Sequence, residues 1–75
     1  MIQYQLPQPA QVQLAIYNLL GERVRTLVDV KESAGVKQIT WDGRNDFGER
    51  VSSGVYLYRI AAGEFKLTKR LVVVK

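Results

Sequence analysis

The sequence contains no cysteine and no histidine among its 75 residues. Thiol nucleophiles, serine–histidine and cysteine–histidine pairs, disulfide frameworks and ordinary zinc or haem sites all require a thiolate or an imidazole. Most enzyme classes are therefore excluded, and we expect a non-catalytic chain with no cofactor and no metal. A binding, sorting or structural module is favoured.

Long apolar runs are also absent. No stretch reaches the roughly 18 apolar residues of a membrane-spanning helix, and no basic-then-apolar leader opens the chain. We therefore expect no membrane span, and the chain is either cytoplasmic or has lost its leader. The 75 residues allow a single domain, residues 1–75. A core of this size supplies only about 3–5 kcal/mol, which leaves little room for a deep substrate cavity.

Charge is unevenly distributed. The net charge of +4 arises entirely from Val51 onward, where five basic residues accompany Glu64 as the single acid. An acidic partner or a nucleic acid would explain this bias. The favoured explanation is a pair of strands whose exposed faces and edges carry Lys and Arg, which discourages edge-to-edge pairing, so no nucleic-acid partner is expected.

Apolar and polar residues alternate over short segments separated by Gly, Pro, Asn and Asp, which is the pattern of β-strands. The segment 23–30 fits neither the helical nor the strand period, and its β-branched residues favour a strand. The absence of any helix-length periodic stretch predicts an all-β fold, a small antiparallel β-sandwich of six to seven strands. The predicted strands are 2–6, 11–17, 23–30, 36–41, 55–60 and 65–74.

The segment 42–50 is a polar, glycine-rich loop with four oxygen-bearing side chains: Asp42, Asn45, Asp46 and Glu49. Hard cations such as calcium bind such ligands, but Arg44 stands where a third-position ligand would be needed. A carboxylate pair could also act as general acid and base, although no apolar pocket is evident to raise one pKa. We favour turns closed by Asp and Asn side chains, with Arg44 and Arg50 neutralising the carboxylates.

The aromatic residues suggest three different roles. Trp41 is predicted to anchor the core as its largest buried side chain. Tyr56 has the position of a tyrosine corner, in which the phenol donates to a backbone carbonyl a few residues upstream. Tyr4, Tyr17 and Phe47 could form an exposed row, which keeps a carbohydrate-binding accessory domain open as a further alternative.

Several blocks of the sequence together resemble a known family. The chain resembles the C-terminal sorting domain of cargo proteins of the type IX secretion system, and equally the related immunoglobulin-like domain of the flagellar hook-capping protein. The resemblance covers nearly all of the chain. Its blocks are Ile2-x-Tyr4-x-Leu6-Pro7, the segment from Val12 to Val28, Trp41-Asp42-Gly43-Arg44-Asn45, Ser53-Gly54-Val55-Tyr56 and the closing Thr68 to Lys75.

The resemblance implies an immunoglobulin-like sandwich that lies at the end of a secreted protein and has no catalytic activity. Outer-membrane export machinery would recognise the domain, and the protein would be secreted or held at the cell surface after passage through the periplasm. The residues implied in recognition are Gly54, Val55, Tyr56, Lys69, Arg70 and Lys75. Those implied in structure are Trp41, Asp42, Gly43 and Tyr56. The alternative function is a structural or assembly module, as in a hook cap or a filament subunit.

The chain departs from the family pattern in two places. It begins without the Asn-Pro-Phe segment that contributes a first strand, and it lacks the cysteine pair of antibody domains. A missing strand would leave one sheet edge open, and an open edge is a template for strand addition. We therefore expect self-association through an edge strand.

Overall fold

A computed structural model describes residues 2–74 and contains β-strands and turns, with no helix in that range. The predicted all-β fold is confirmed, and the ambiguous segment 23–30 lies within a strand. Consequently no helix in residues 2–74 could cross a membrane. The six strands are β1 (Ile2–Leu6), β2 (Ala10–Tyr17), β3 (Arg23–Glu32), β4 (Gly35–Ile39), β5 (Gly54–Ala62) and β6 (Phe65–Val73).

The strands form two antiparallel sheets that pack face to face. One sheet has the order β1-β4 and the other the order β3-β2-β5-β6. Alternation along β1 and β2 places every second side chain in the core, and Val12, Leu14 and Ile16 are fully buried. Ile2, Tyr4 and Leu6 of β1 cover the same core from the opposite sheet. This arrangement confirms the small immunoglobulin-like sandwich.

The irregular period of β3 has a structural cause. The pairing of β2 with β3 shifts register between Leu14 and Ala15 and again between Ile16 and Tyr17. Each bulge inserts one extra residue into a strand and breaks the strict alternation of its two faces. Val24, Leu27 and Val28 can therefore all pack against the core. Strict alternation of apolar and polar residues describes strands without bulges, so it could not predict that these three side chains pack against the core.

The structure corrects the predicted position of Trp41. Strand β4 ends at Ile39, so Trp41 lies in the following loop and not at the end of a strand. Its side chain is half-buried and packs against the core from one end, whereas the fully buried side chains are aliphatic. Trp41 is thus a cover over the core and not its largest buried residue.

Candidate interaction site

Trp41 and Tyr56 form the link between the 42–50 loop and the core. Their rings meet edge to face with centroids 5.5 Å apart. The indole N–H donates to the carbonyl of Arg44 at 2.9 Å, and the phenol of Tyr56 donates to the carbonyl of Ser52 at 2.7 Å. The second bond is the predicted tyrosine corner, which is therefore confirmed. Both aromatic residues thus hold backbone carbonyls in the segment between β4 and β5.

Tyr4 contributes a second polar contact at the edge of the core. Its phenol donates to a carboxylate oxygen of Glu32, which ties β1 to the end of β3. Burial, together with the hydrogen bond and the negative charge of Glu32, raises the pKa of the Tyr4 phenol well above its ordinary value. The tyrosine therefore stays neutral and keeps donating across the usual pH range.

The 42–50 loop uses its polar side chains to fold its own backbone. Asp42 accepts from the backbone N–H of Arg44 at 3.1 Å and from the guanidinium of Arg25 at 3.2 Å. Asp46 accepts from the backbone N–H of Thr26 at 3.0 Å, and its own N–H donates to the carbonyl of Val24 at 3.0 Å. These bonds agree with the predicted Asp and Asn turns. The part of the chain that the structure describes holds no carboxylate cluster suited to a metal ion.

The ion pairs of the acidic side chains agree with the predicted role of Arg44 but not with that of Arg50. Asp42 pairs with Arg25 and, at 3.9 Å, with Arg44, while Arg23 approaches Asp46 at 4.0 Å. Arg50 instead forms an isolated backbone bridge with Arg44. The carboxylates of Asp42 and Asp46 thus contact β3, and Asp46 bonds to backbone groups on the free edge of that strand.

Two loops of the molecule are built alike, a repeat that the sequence analysis missed. Both have the sequence Asn-x-x-Gly-Glu, at Asn18–Glu22 and at Asn45–Glu49. In each, the Asn Oδ1 accepts from the second and fourth following N–H groups, at 3.0 and 3.0 Å in the first loop and 2.9 and 3.0 Å in the second. The Asn amide donates to the Glu carboxylate in both.

The backbones of the two loops match as well. The Asn N–H donates to the Glu carbonyl, and the Gly N–H donates to the Asn carbonyl, in each case. Gly21 and Gly48 have φ angles of 84° and 81°, a conformation that residues with a Cβ rarely adopt. The recurrence of Asn-x-x-Gly-Glu was the sequence signal for this repeat.

The aromatic row proposed for carbohydrate binding does not exist in the structure. Tyr4 is buried in the core, and Phe47 is 87% exposed at the tip of its loop. Tyr17 lies on β2, facing away from the core, opposite Arg23 on one side and Leu57 on the other. The expectation that these three residues share one surface is therefore wrong, because period-two alternation turns Tyr4 inward.

The residues predicted to be recognised are divided among three environments. Tyr56 is buried and hydrogen-bonded, so its side chain serves the core. Val55 and Arg70 lie on the exposed side of the four-stranded sheet, and Gly54 begins β5 beside them. Lys69 alternates with Arg70 and points to the opposite side. Lys75 lies outside the described residues.

The edges of the two sheets are not protected to the same degree. Strands β3, β4 and β6 carry charged side chains, and the 42–50 loop bonds to β3. Strand β1 pairs only with β4 within residues 2–74, and its sequence IQYQL has neither a charge nor a proline. Charges, prolines and covering loops are the means by which sheet edges avoid pairing with other chains. Within residues 2–74, the free edge of β1 has no charge, no proline and no hydrogen-bonded loop.

Open grooves lie between β1 and β6 at both ends of β1. Ile2 shares a groove of about 520 Å³ with Tyr58, Leu71 and Val73. At the other end, Leu6 and Phe65 line a groove of about 410 Å³. The inner face of β6 is therefore only half covered by the smaller sheet. We call the β1 edge together with these two grooves the β1 edge site.

Comparison with known proteins agrees with this architecture. The family model for the FlgD Ig-like domain matches residues 1–65. No curated protein matches the chain. The resemblance to the hook-capping immunoglobulin-like domain is thus confirmed at the level of the family, whereas these findings do not show a type IX sorting domain. The chain belongs to the FlgD Ig-like domain family.

Proposed function

We propose that the chain is a non-catalytic assembly module that joins another polypeptide by strand addition at the β1 edge site. The observation that carries this proposal is an uncharged, proline-free edge beside a half-covered apolar face. Backbone groups on such an edge provide affinity, and the adjacent pockets provide specificity for the side chains of the added strand. Family membership supports a structural or assembly role in preference to catalysis.

The simplest strand donor is β1 of a second copy. Antiparallel pairing of two β1 strands around a two-fold axis would join the smaller sheets into one of the order β4-β1-β1-β4. The same surface patch then serves both partners, as in most homodimers. Tyr58, Leu71 and Val73, which are half-buried in the single chain, would lose further contact with water. Burial of such apolar surface favours association.

Sedimentation velocity between about 5 and 500 µM tests this proposal, because small interfaces dissociate in that range. We expect the wild-type chain to associate as its concentration rises. The double variant Gln3→Lys/Gln5→Lys places two charges on β1, as natural edge strands do, and should remain monomeric. Both glutamines are exposed, so the fold should be kept.

The matched control is Gln11→Lys/Gln13→Lys on β2. These glutamines are also exposed, but β2 is hydrogen-bonded to a strand on each side. This control should associate like the wild type. A wild-type chain that is monomeric at every concentration would contradict the proposal, as would equal effects of the two double variants.

Export sorting is a second proposal, and the position of Gly54, Val55 and Arg70 on the outer side of the β5–β6 hairpin favours it. The test uses a fluorescent reporter placed between a signal peptide and this chain, expressed in a host with a type IX system. The location of the reporter is measured. Sorting predicts reporter at the cell surface or in the medium, and loss of that signal in Arg70→Glu. Intact fusion retained in the periplasm would rule it out.

A further inference from the structure

The four-stranded sheet has a second face, which points away from β1 and β4. Register places Arg23, Tyr17, Leu57 and Arg70 in one row across its four strands. Tyr17 and Leu57 are half-buried and adjacent, and an exposed arginine stands at each end of the row. The row is therefore an apolar pair flanked by positive charges.

The neighbouring rows extend this pattern. Arg59 lies opposite Ala15 in the next row, and Lys66 lies opposite Ala61 in the row after it. The small alanine side chains form the floor of a shallow groove of about 340 Å³. On the other side of the Tyr17–Leu57 pair, Val55 faces Val72 across β5 and β6. We call this the outer groove.

Charge on this face is strongly one-sided. Its basic residues are Arg23, Lys31, Arg59, Lys66 and Arg70, and its acidic residue is Asp29. The ion pairs found within residues 2–74 involve Arg23, Arg25 and Arg44, and leave Arg59, Lys66 and Arg70 without a carboxylate. Most of the basic surface of the outer groove is thus available to a partner.

We propose that the outer groove binds an acidic segment of a partner protein that also carries an apolar side chain. Tyrosine and arginine are the residue types enriched where protein interfaces gain most of their binding energy. The apolar side chain would pack on Tyr17 and Leu57, and flanking carboxylates would pair with Arg59 and Arg70. Arg70 and Val72 of the edge strand β6 also border the groove at Ile2. Tyr17, Leu57 and Arg59 lie on the opposite side of the sheet from it, so binding at these residues can fail without failure of the β1 edge site.

The chemistry of the groove favours a protein over a nucleic acid. Surfaces that bind single strands stack successive bases on several aromatic side chains, whereas Tyr17 is the aromatic residue in these rows. The aliphatic side chains of Val55, Leu57 and Val72 offer no hydrogen-bond donor to a phosphate backbone. The carboxylate of Asp29 on the groove would also repel phosphates.

The test is an NMR titration of the ¹⁵N-labelled chain with a synthetic peptide of about eight residues, a single phenylalanine among glutamates and serines. An extended peptide of that length spans the four strands. We expect shift changes centred on Tyr17, Leu57 and Arg59. Arg59→Glu, Arg70→Glu and Tyr17→Ser should each weaken binding about tenfold.

Lys69→Glu is the matched control, because Lys69 is next to Arg70 in sequence and points to the opposite side of the sheet. It should change the affinity less than about twofold, since exposed charges away from a contact contribute little. Amide spectra of every variant report whether its fold is intact.

Several outcomes would overturn the proposal. The proposal is wrong if the peptide does not bind to the wild-type chain. It is also wrong if Lys69→Glu and Arg70→Glu lower the affinity for the peptide equally. Equal affinity for a peptide with serine in place of phenylalanine, or for a single-stranded oligonucleotide of about ten nucleotides, would make the groove a general anion surface. The same shifts on raising the concentration of the chain alone would make the occupant a second copy.

Discussion

Trp41 illustrates how a residue can stabilise a small sandwich without being fully buried. Its indole covers one end of the core, meets Tyr56 edge to face and donates to the carbonyl of Arg44. The residue therefore connects core packing with the shape of the 42–50 loop. Tyr56 has a similar double function, since its ring is buried while its hydroxyl fixes the turn before β5.

Truncation of Trp41 to Ala should lower the free energy of unfolding by about 2–3 kcal/mol, less than the loss at a fully buried aromatic. A domain of this size has about 3–5 kcal/mol in total, so the variant should unfold at a much lower urea concentration. Phe47→Ala, at a side chain 87% exposed, is the control and should cost less than about 0.5 kcal/mol. Equal losses in the two variants would contradict this account.

Tyr4 makes the free energy of unfolding depend on pH in the alkaline range. Its pKa is raised in the folded state, so the folded chain holds this proton more tightly than the unfolded chain does. The stabilisation is complete below the unfolded pKa of about 10 and is lost as the pH rises above it. Tyr4→Phe should cost about 1 kcal/mol near neutral pH through the lost bond to Glu32.

Urea unfolding at about pH 8 and pH 11, on either side of the unfolded phenol pKa, measures this effect. The wild-type chain should lose more stability between the two values than Tyr4→Phe does. Parallel losses in both chains would show that the Tyr4 phenol is not the group responsible.

At the scale of elements, the two Asn-x-x-Gly-Glu loops carry out different tasks with the same hydrogen bonds. Asn18–Glu22 closes the hairpin between β2 and β3, whereas Asn45–Glu49 places Asp46 against the free edge of β3. A sequence repeat thus produces a hairpin turn in one place and an edge cover in another.

Replacement of Asn18 or Asn45 by Ala removes two accepted hydrogen bonds and one donated bond, and each should cost about 1–2 kcal/mol. Urea unfolding gives these values. Asn45→Ala should in addition release the cover of β3 and increase aggregation on heating, because an uncovered edge pairs with other chains. Light scattering during a thermal ramp separates the two variants. Equal aggregation would contradict the assigned role of the second loop.

The strands themselves could be predicted because burial imposes a period of two on β1, β2 and β5. The sequence could not show where that period breaks, since bulges in the β2–β3 pairing bring both Leu27 and Val28 to the core. Pairing partners were also inaccessible, because β1 pairs with β4 across 28 to 36 intervening positions. The outer groove and the β1 edge site both depend on those pairings. The alternation of Tyr4 with Gln3 and Gln5 was a signal that it points inward, and the hypothesis of an exposed aromatic row overlooked that signal.

At the scale of the whole molecule, the two sheets differ in size, and this difference produces the β1 edge site. Four strands face two, so the inner face of β6 extends beyond its cover. The other edge strands, β3, β4 and β6, carry charged side chains, and β3 is also hydrogen-bonded to the 42–50 loop. The positive charge of the chain is concentrated on the other face of the larger sheet. The molecule therefore presents two chemically distinct surfaces, an uncharged strand edge and a basic groove.

Amide hydrogen exchange at two protein concentrations tests the central claim, strand addition at β1, most directly. At low concentration, alternate amides of β1 that point away from β4 should exchange rapidly. Above the association concentration, those amides should become protected, because strand addition gives each a hydrogen-bond partner. Amides on the free edge of β6 should not change. Association without new protection in β1, or with protection at β6 instead, would contradict the account.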